Sequence, residues 1–185
     1  YTYGSGMPLP DFDNTRCMLI WGINPPATSP AQAVRIINAR NRGARLIVID
    51  PRKTTLAAKA DCWLRIRPGK DGELAMAMIH VLLEENLFDA DFARTWTNGP
   101  FLIRSDNHQL LTEVDVRANG NPKAWLVWDE LNGLRAHHEA DKPVLFGSHS
   151  VTLLDGRTVG CRPALDLLKE AAAHFAPERS EQITT

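Results

Sequence analysis

Cysteine is scarce in this chain. There are three, Cys17, Cys62 and Cys161, far apart and without a Cys-x-x-Cys pair. That spacing argues against a zinc or iron–sulfur site. Cys17 and Cys62 stand among apolar residues of expected strands, so both are read as buried, inert thiols. No charge of one sign dominates: the formal net charge is -1, which gives no electrostatic case for nucleic acid or an acidic membrane surface. No apolar run approaches the ~20 residues of a bilayer span, so no direct membrane insertion is expected. No charged-then-apolar leader with a cleavage site is visible in YTYGSGMPLPDFDNT, so no signal peptide is read there. That stretch reads instead as a loop entering a strand.

The common catalytic signatures are missing too. There is no G-x-S-x-G elbow, no G-x-x-x-x-G-K-[ST] phosphate loop and no G-x-G-x-x-G dinucleotide fingerprint. His80 lies inside an expected helix and is read as partly buried. His137 and His138 sit in a polar loop without a third metal ligand and are read as solvated. Trp125 and Trp128 bracket an expected strand and are read as packing residues.

What is present is an alternation of strand and helix. The chain has 185 residues, 44% apolar and 23% charged, enough for one ordinary domain with a core and an appendage. CMLIW (17–21) is a short apolar run before Gly22 and predicts a first parallel strand. Ser29-Pro30 marks a helix start, a capping hydroxyl followed by proline at the first helical position. The helix continues to about Arg42, and RLIVI (45–49) predicts a second strand, giving a βαβ unit. Residues 54–60 predict a short helix and 62–66 a third strand. Asp71 is read as the cap of a helix to about Glu85, with Leu74, Met78, Val81 and Leu82 on one face. Another helix is expected over 90–96.

From Asn98 to Val159 the texture changes. Runs such as FLIR (101–104), WLVW (125–128), VLFG (144–147) and VTLL (151–154) predict strands, with turns at Asp129–Gly133 and Asp155-Gly156. Arg162 to Phe175 predicts an amphipathic helix with Leu165, Leu168 and Ala172 on one side. Pro177 and the acidic residues after it open a further helix. The expected fold is α/β: a Rossmann-like three-layer domain with a mainly parallel sheet, plus a β-rich insertion. Residues 1–97 and 161–185 form the expected core, and 98–160 the insertion or flap.

Three loops follow the three expected parallel strands, and ligands of open α/β sheets sit at the carboxyl ends of strands. In the first, Gly22 lets the backbone turn or approach a ligand, Asn24 offers donor and acceptor, and Thr28 and Ser29 stand where helix amides favour phosphate. An ordinary strand-to-helix turn explains the same residues equally well. In the second, Asp50 is placed to accept from ribose hydroxyls, and Arg52 to meet phosphate or a base. The plainer alternative is a surface Asp capping the next turn. In the third, Gly69-Lys70-Asp71 reads first as a helix cap. The Asp71 carboxylate can also accept from the N1 and N2 of a guanine edge.

In order and spacing, WGINP, LIVIDPRKTTLAAKAD and RIRPGKDGELAMAMIHVLLEENLFDADF resemble the catalytic subunits of the dimethyl sulfoxide reductase family of molybdopterin oxidoreductases. The resemblance is close over 16–97, fainter over 98–160, and returns at CRPALDLL and FAPERSEQIT. It implies one Rossmann-like domain of a larger subunit. That domain grips the guanine dinucleotide arm of a bis(molybdopterin guanine dinucleotide) cofactor holding molybdenum or tungsten. Trp21, Gly22, Asn24 and Thr28 would lie along the pterin-to-pyrophosphate stretch. Asp50 and Arg52 would meet ribose and phosphate, and Gly69 and Asp71 the guanine. The family's iron–sulfur cysteines and metal-ligating residue lie upstream of the matching region, and Cys17, inside the strand, does not match the ligand position. No catalytic or metal-ligating residue is therefore assigned here. The chain alone is expected to be inactive, with the parent subunit's other domains, and an iron–sulfur electron-transfer subunit, as its partners. A stand-alone nucleotide-binding or regulatory module is the alternative.

Overall fold

The computed structural model describes residues 10–184; the expected entry loop falls, over residues 1–9, outside the described residues. The chain divides into two compact units, Tyr1–Glu73 with Glu181–Thr185, and Leu74–Ser180.

The first unit is built on a parallel sheet of order β1-β2-β3: β1 Cys17–Trp21, β2 Arg45–Ile49 and β3 Cys62–Leu64. The register pairs Met18 with Leu46, Ile20 with Val48, and Trp21 with Ile49, while Ile49 pairs with Leu64. The side-chain period of 2 then sends Met18, Ile20, Leu46 and Val48 to one face. There they meet Ile36 and Ala39 of α2 (Pro30–Asn41), together with Phe12 and Leu56. Leu46, Val48 and Ile36 are essentially fully buried. Burial of each such side chain contributes about 1.5–3 kcal/mol.

The same period corrects the reading of the cysteines. Cys17 lies next to Met18, so it points to the opposite face, and Cys62 shares that face through its pairing with Ile47. Both thiols are exposed; Cys161 is the buried one. Local chemistry also shortens two elements. β3 stops at Leu64, before the exposed Arg65. The helix expected over 54–60 is only a 3-10 turn, Ala57–Lys59, because Thr54 Oγ1 accepts from the Ala57 amide and turns the chain first.

α3, Asp71–Glu84, begins in the first unit and continues into the second. Its expected apolar face is corrected as well. Leu82 is 42% exposed, whereas Ala77 and Leu83 are buried. Apolar residues run right round this helix, so the sequence defines no single stripe.

The second unit is mostly antiparallel. β4 (Leu102–Arg104), β8 (Thr158–Pro163) and β7 (His149–Thr152) form one sheet in the order β4-β8-β7, and β5 (Leu126–Asp129) and β6 (Gly133–Ala136) a hairpin. Leu102, Leu111, Leu126, Val151, Val159 and Cys161 fill their core. VLFG is not a strand. Pro143 bridges Asp129 singly, Val144 donates to the Trp128 carbonyl, and the chain turns away at Gly147. Proline has no N–H to extend that ladder. α4 (Ala90–Trp96) and α6 (Ala164–Ala172) border an apolar cavity of about 520 Å³ with α3, lined by Ile79, Leu83, Phe88, Phe92, Leu165 and Leu168. α5 (Glu113–Val116) and α7 (Pro177–Thr184) complete the chain. The fold is thus α/β, a parallel sheet followed by antiparallel ones, as the sequence predicts.

Candidate functional site

The three carboxyl ends of the parallel strands stand side by side, since Trp21 pairs with Ile49 and Ile49 with Leu64. Adjacent strands are ~4.8 Å apart, so the loops that follow share one edge within ~10 Å. Backbone bonds seal this edge: Gly22 N donates to Ile49 O at 2.9 Å and Asp50 N to Leu64 O at 3.3 Å.

Gly22 turns the first loop with φ +63, and no atom lies within 4 Å of where its Cβ would stand. Asn24 follows, half-buried. Its carbonyl accepts from the Ala27 and Thr28 amides and from the Thr28 hydroxyl. Its side-chain Oδ1 is buried and meets no donor among the described residues. An unsatisfied buried acceptor costs about 1–3 kcal/mol, which a ligand donor offsets. The expected cap at Ser29 is corrected. A short helix, α1 (Pro25–Thr28), intervenes, and Ser29 at φ -150 makes no side-chain capping bond to α2. Proline at 25 and 30 fixes both helix starts without needing one.

Asp50 is not the surface residue of the plainer reading. It is 5% exposed, and its Oδ1 accepts from the Arg52 amide at 2.7 Å. Its carbonyl accepts from the Trp63 indole at 2.9 Å. The carboxylate therefore shapes the turn that carries the exposed Arg52. Lys53 lies over the Trp63 ring, 5.8 Å from its centroid.

In the third loop, Pro68 and Gly69 form the centre of a turn closed by Lys70 N to Arg67 O at 3.1 Å. Gly69 has φ +82, the angle such a turn requires at its third position. Asp71 is the first residue of α3, not the residue before it. Its exposed carboxylate accepts from the Trp21 indole at 2.6 Å. Lys70 pairs with Glu73 at 2.8 Å, and that bond holds the Glu73 carboxyl below its ordinary 4.5.

The eight residues singled out in the sequence thus fall at the strand ends, in the loops and in the first turns of helix that follow the three parallel strands, with Thr28, at the end of α1, farthest along the first connection. Two were missed. Arg65 and Arg67 are exposed beside the same turn, and with Arg52 they form no ion pair among the described residues. The signal was present in RIRPGK, where alternation about the buried Ile66 turns both cations outward. Three guanidiniums without an ion-pair partner among the described residues, in the loops of the same sheet edge as the left-handed Gly22 and Gly69, suit a ligand with several phosphates. Among the described residues no group of three His, Cys, Asp or Glu could hold a metal ion. His137 instead contacts the Arg94 carbonyl at 2.8 Å. No helix among them is long and apolar enough to cross a membrane.

Residues 1–165 match the molybdopterin oxidoreductase family. The chain is 30% identical over 207 residues to the alpha subunit of the perchlorate reductase of Dechloromonas aromatica, covering 94% of this chain and 22% of that one. It is 30% identical over 169 residues to the alpha subunit of the dimethylsulfide dehydrogenase of Rhodovulum sulfidophilum, covering 87% and 19%. Against a subunit of the sulfite dehydrogenase of Allochromatium vinosum it is 30% identical over 184 residues, covering 95% and 19%. The chain spans about one fifth of the length of these curated relatives.

Proposed function

The chain belongs to the dimethyl sulfoxide reductase family of molybdopterin oxidoreductases, and we propose that its sheet edge grips the guanine dinucleotide arm of the family's cofactor. The family implies a molybdopterin cofactor with molybdenum or tungsten, and that metal centre supplies the redox chemistry when bound. The residues of this chain bind and orient. The donor set fits such a group: among the described residues, a buried acceptor without a donor at Asn24, open space at Gly22 and Gly69, and guanidiniums without an ion-pair partner at Arg52, Arg65 and Arg67.

In this reading Gly22, Asn24 and Thr28 follow the pterin-to-pyrophosphate stretch, where Gly22 admits close backbone approach. Arg52, Arg65 and Arg67 neutralise phosphate. Asp50 holds the Arg52 turn with one oxygen and offers the other to ribose. Gly69 and Asp71 meet the guanine. Residues 1–97 with 161–185 act as the cofactor-binding core of a catalytic subunit, with 98–160 as its flap. Its partners are an iron–sulfur subunit that relays electrons and the remaining domains of the same polypeptide.

The observation that carries this reading is the orphan Asn24 Oδ1 on an edge that also gathers both glycine turns and two carboxylates. Titration of the isotope-labelled chain with GMP and AMP, followed by NMR, tests it. Shifts with GMP confined to residues 22–29, 50–54 and 65–72, and weaker with AMP, support it. An equal response to both nucleotides, or shifts elsewhere, would sink it.

A further inference from the structure

We infer that Trp21 is a positioning residue: its indole N–H fixes the Asp71 carboxylate in the orientation that reads the base. The inference rests on the guanine reading above and adds to it. The family resemblance alone would place Trp21 along the pterin stretch; its polar atom is committed to Asp71.

Trp21 Nε1 lies 2.6 Å from Asp71 Oδ1, within hydrogen-bond reach, and the acceptor is a carboxylate, which strengthens the bond. The donor is anchored. Trp21 is the last residue of β1, paired with Ile49, and its side chain is half-buried. The acceptor is not. Asp71 is exposed and follows the Gly69 turn, and its carboxylate makes no other hydrogen bond among the described residues. An exposed carboxylate on a helix's first residue samples several rotamers, and ordering it on binding costs free energy. The indole removes that cost beforehand. It occupies one of roughly four lone-pair sites of the carboxylate, leaving both oxygens able to accept from a base edge with two adjacent donors. Guanine has such an edge. Adenine presents a bare ring nitrogen there, which a carboxylate repels.

A tie that merely stabilises the fold would show the same hydrogen bond. The two roles separate in a double-mutant cycle on the 185-residue chain, using Trp21→Phe, Asp71→Ala and the pair, titrated with GMP and AMP. Phenylalanine keeps a planar aromatic side chain on the same backbone and removes the N–H together with part of the indole's bulk, and the Asp71→Ala background cancels the packing share. Trp21→Phe should weaken GMP binding about tenfold, leave AMP binding nearly unchanged, and have no effect once Asp71 is alanine. The indole N–H resonance that moves upfield in Asp71→Ala should also move when GMP binds. Equal weakening by Trp21→Phe with and without Asp71 overturns the inference while leaving guanine preference intact. An indole resonance unmoved by both Asp71→Ala and GMP overturns it even if Trp21→Phe fails to fold. Absence of any GMP preference in the unmodified chain is the different result that removes the guanine reading, and this inference with it.

Discussion

Trp21 and Asp71 stand fifty residues apart in the chain and are joined by a 2.6 Å hydrogen bond from indole to carboxylate. The bond ties the end of β1 to the start of α3, so the first and third loops of the sheet edge are not independent. The second loop is bound to the third strand in the same fashion, by the Trp63 indole on the Asp50 carbonyl. Two tryptophans thus hold the edge that the strands only roughly define.

The two kinds of glycine here should respond differently to alanine. Gly22 has a left-handed φ and open space around it, so Gly22→Ala costs only backbone strain, about 1–2 kcal/mol. Gly120 has no such φ, yet a Cβ there would overlap the Glu113 carbonyl group and the Val114 amide. Gly120→Ala should cost about 3 kcal/mol or more. Urea denaturation of both variants checks the order. A Gly120→Ala chain as stable as Gly22→Ala would contradict the packing described.

Thiol chemistry should follow the corrected burial. Cys161 is fully buried in the antiparallel core, and burial pushes its thiol up to about 11. The thiolate is the reactive form, so Cys161 should resist iodoacetamide in the native chain near neutral pH. Cys17 and Cys62 should label. Mass spectrometry of peptides before and after denaturation reads this directly, and native labelling of Cys161 at the rate of Cys17 would refute it.

Those cysteines show where sequence reasoning runs out. Continuous apolar runs of five residues before Gly22 and four before Asp50 located β1 and β2, because such short runs between turns fit a strand. Facing is another matter. CMLIW is apolar throughout, so its composition does not say that Met18 and Ile20 face α2 while Cys17 and Leu19 face away. Asp50 was legible as a strand-end carboxylate, but its burial was not, since that depends on Trp63 arriving from β3. The link from Trp21 to Asp71 was likewise invisible: each residue had a sufficient local explanation, as strand end and as cap.

Asp129 should make the second unit sensitive to acid. It is fully buried, and its carboxylate accepts from the amides of Lys142, Leu131 and Asn132. Led by the Lys142 amide, these bonds hold its pKa below the ordinary 3.8. The unfolded chain therefore takes up the proton first as pH falls. The stabilisation is fully present above the ordinary value and is lost as pH drops through the lower native one. Asp129→Asn should lower Tm at neutral pH, and the gap to the unmodified chain should narrow as pH falls below the ordinary carboxyl value. A gap independent of pH would mean that the charge contributes nothing beyond the shape of the side chain.

The sharpest division lies at Asp71 itself, in the full-length subunit. Asp71→Asn keeps an oxygen for the Trp21 indole, so the tie between the first and third loops persists and the stability of the apo form should hardly change. Helix stability should fall only slightly, since an exposed carboxylate in the first turn of α3 gains about 0.3–1 kcal/mol from the helix dipole. Toward a guanine edge the substitution is severe. One of two acceptors becomes a donor, which leaves a donor facing a donor at a cost on the order of 1–3 kcal/mol. Cofactor occupancy, read as GMP released on acid extraction and as metal per polypeptide, should fall while apo Tm holds. Asp50→Asn is the comparison: its remaining oxygen can still accept from the Arg52 amide and preserve that turn, so a loss there reports on the ribose contact alone. Wild-type occupancy in Asp71→Asn together with a loss in Asp50→Asn would move nucleotide recognition from the third loop to the second.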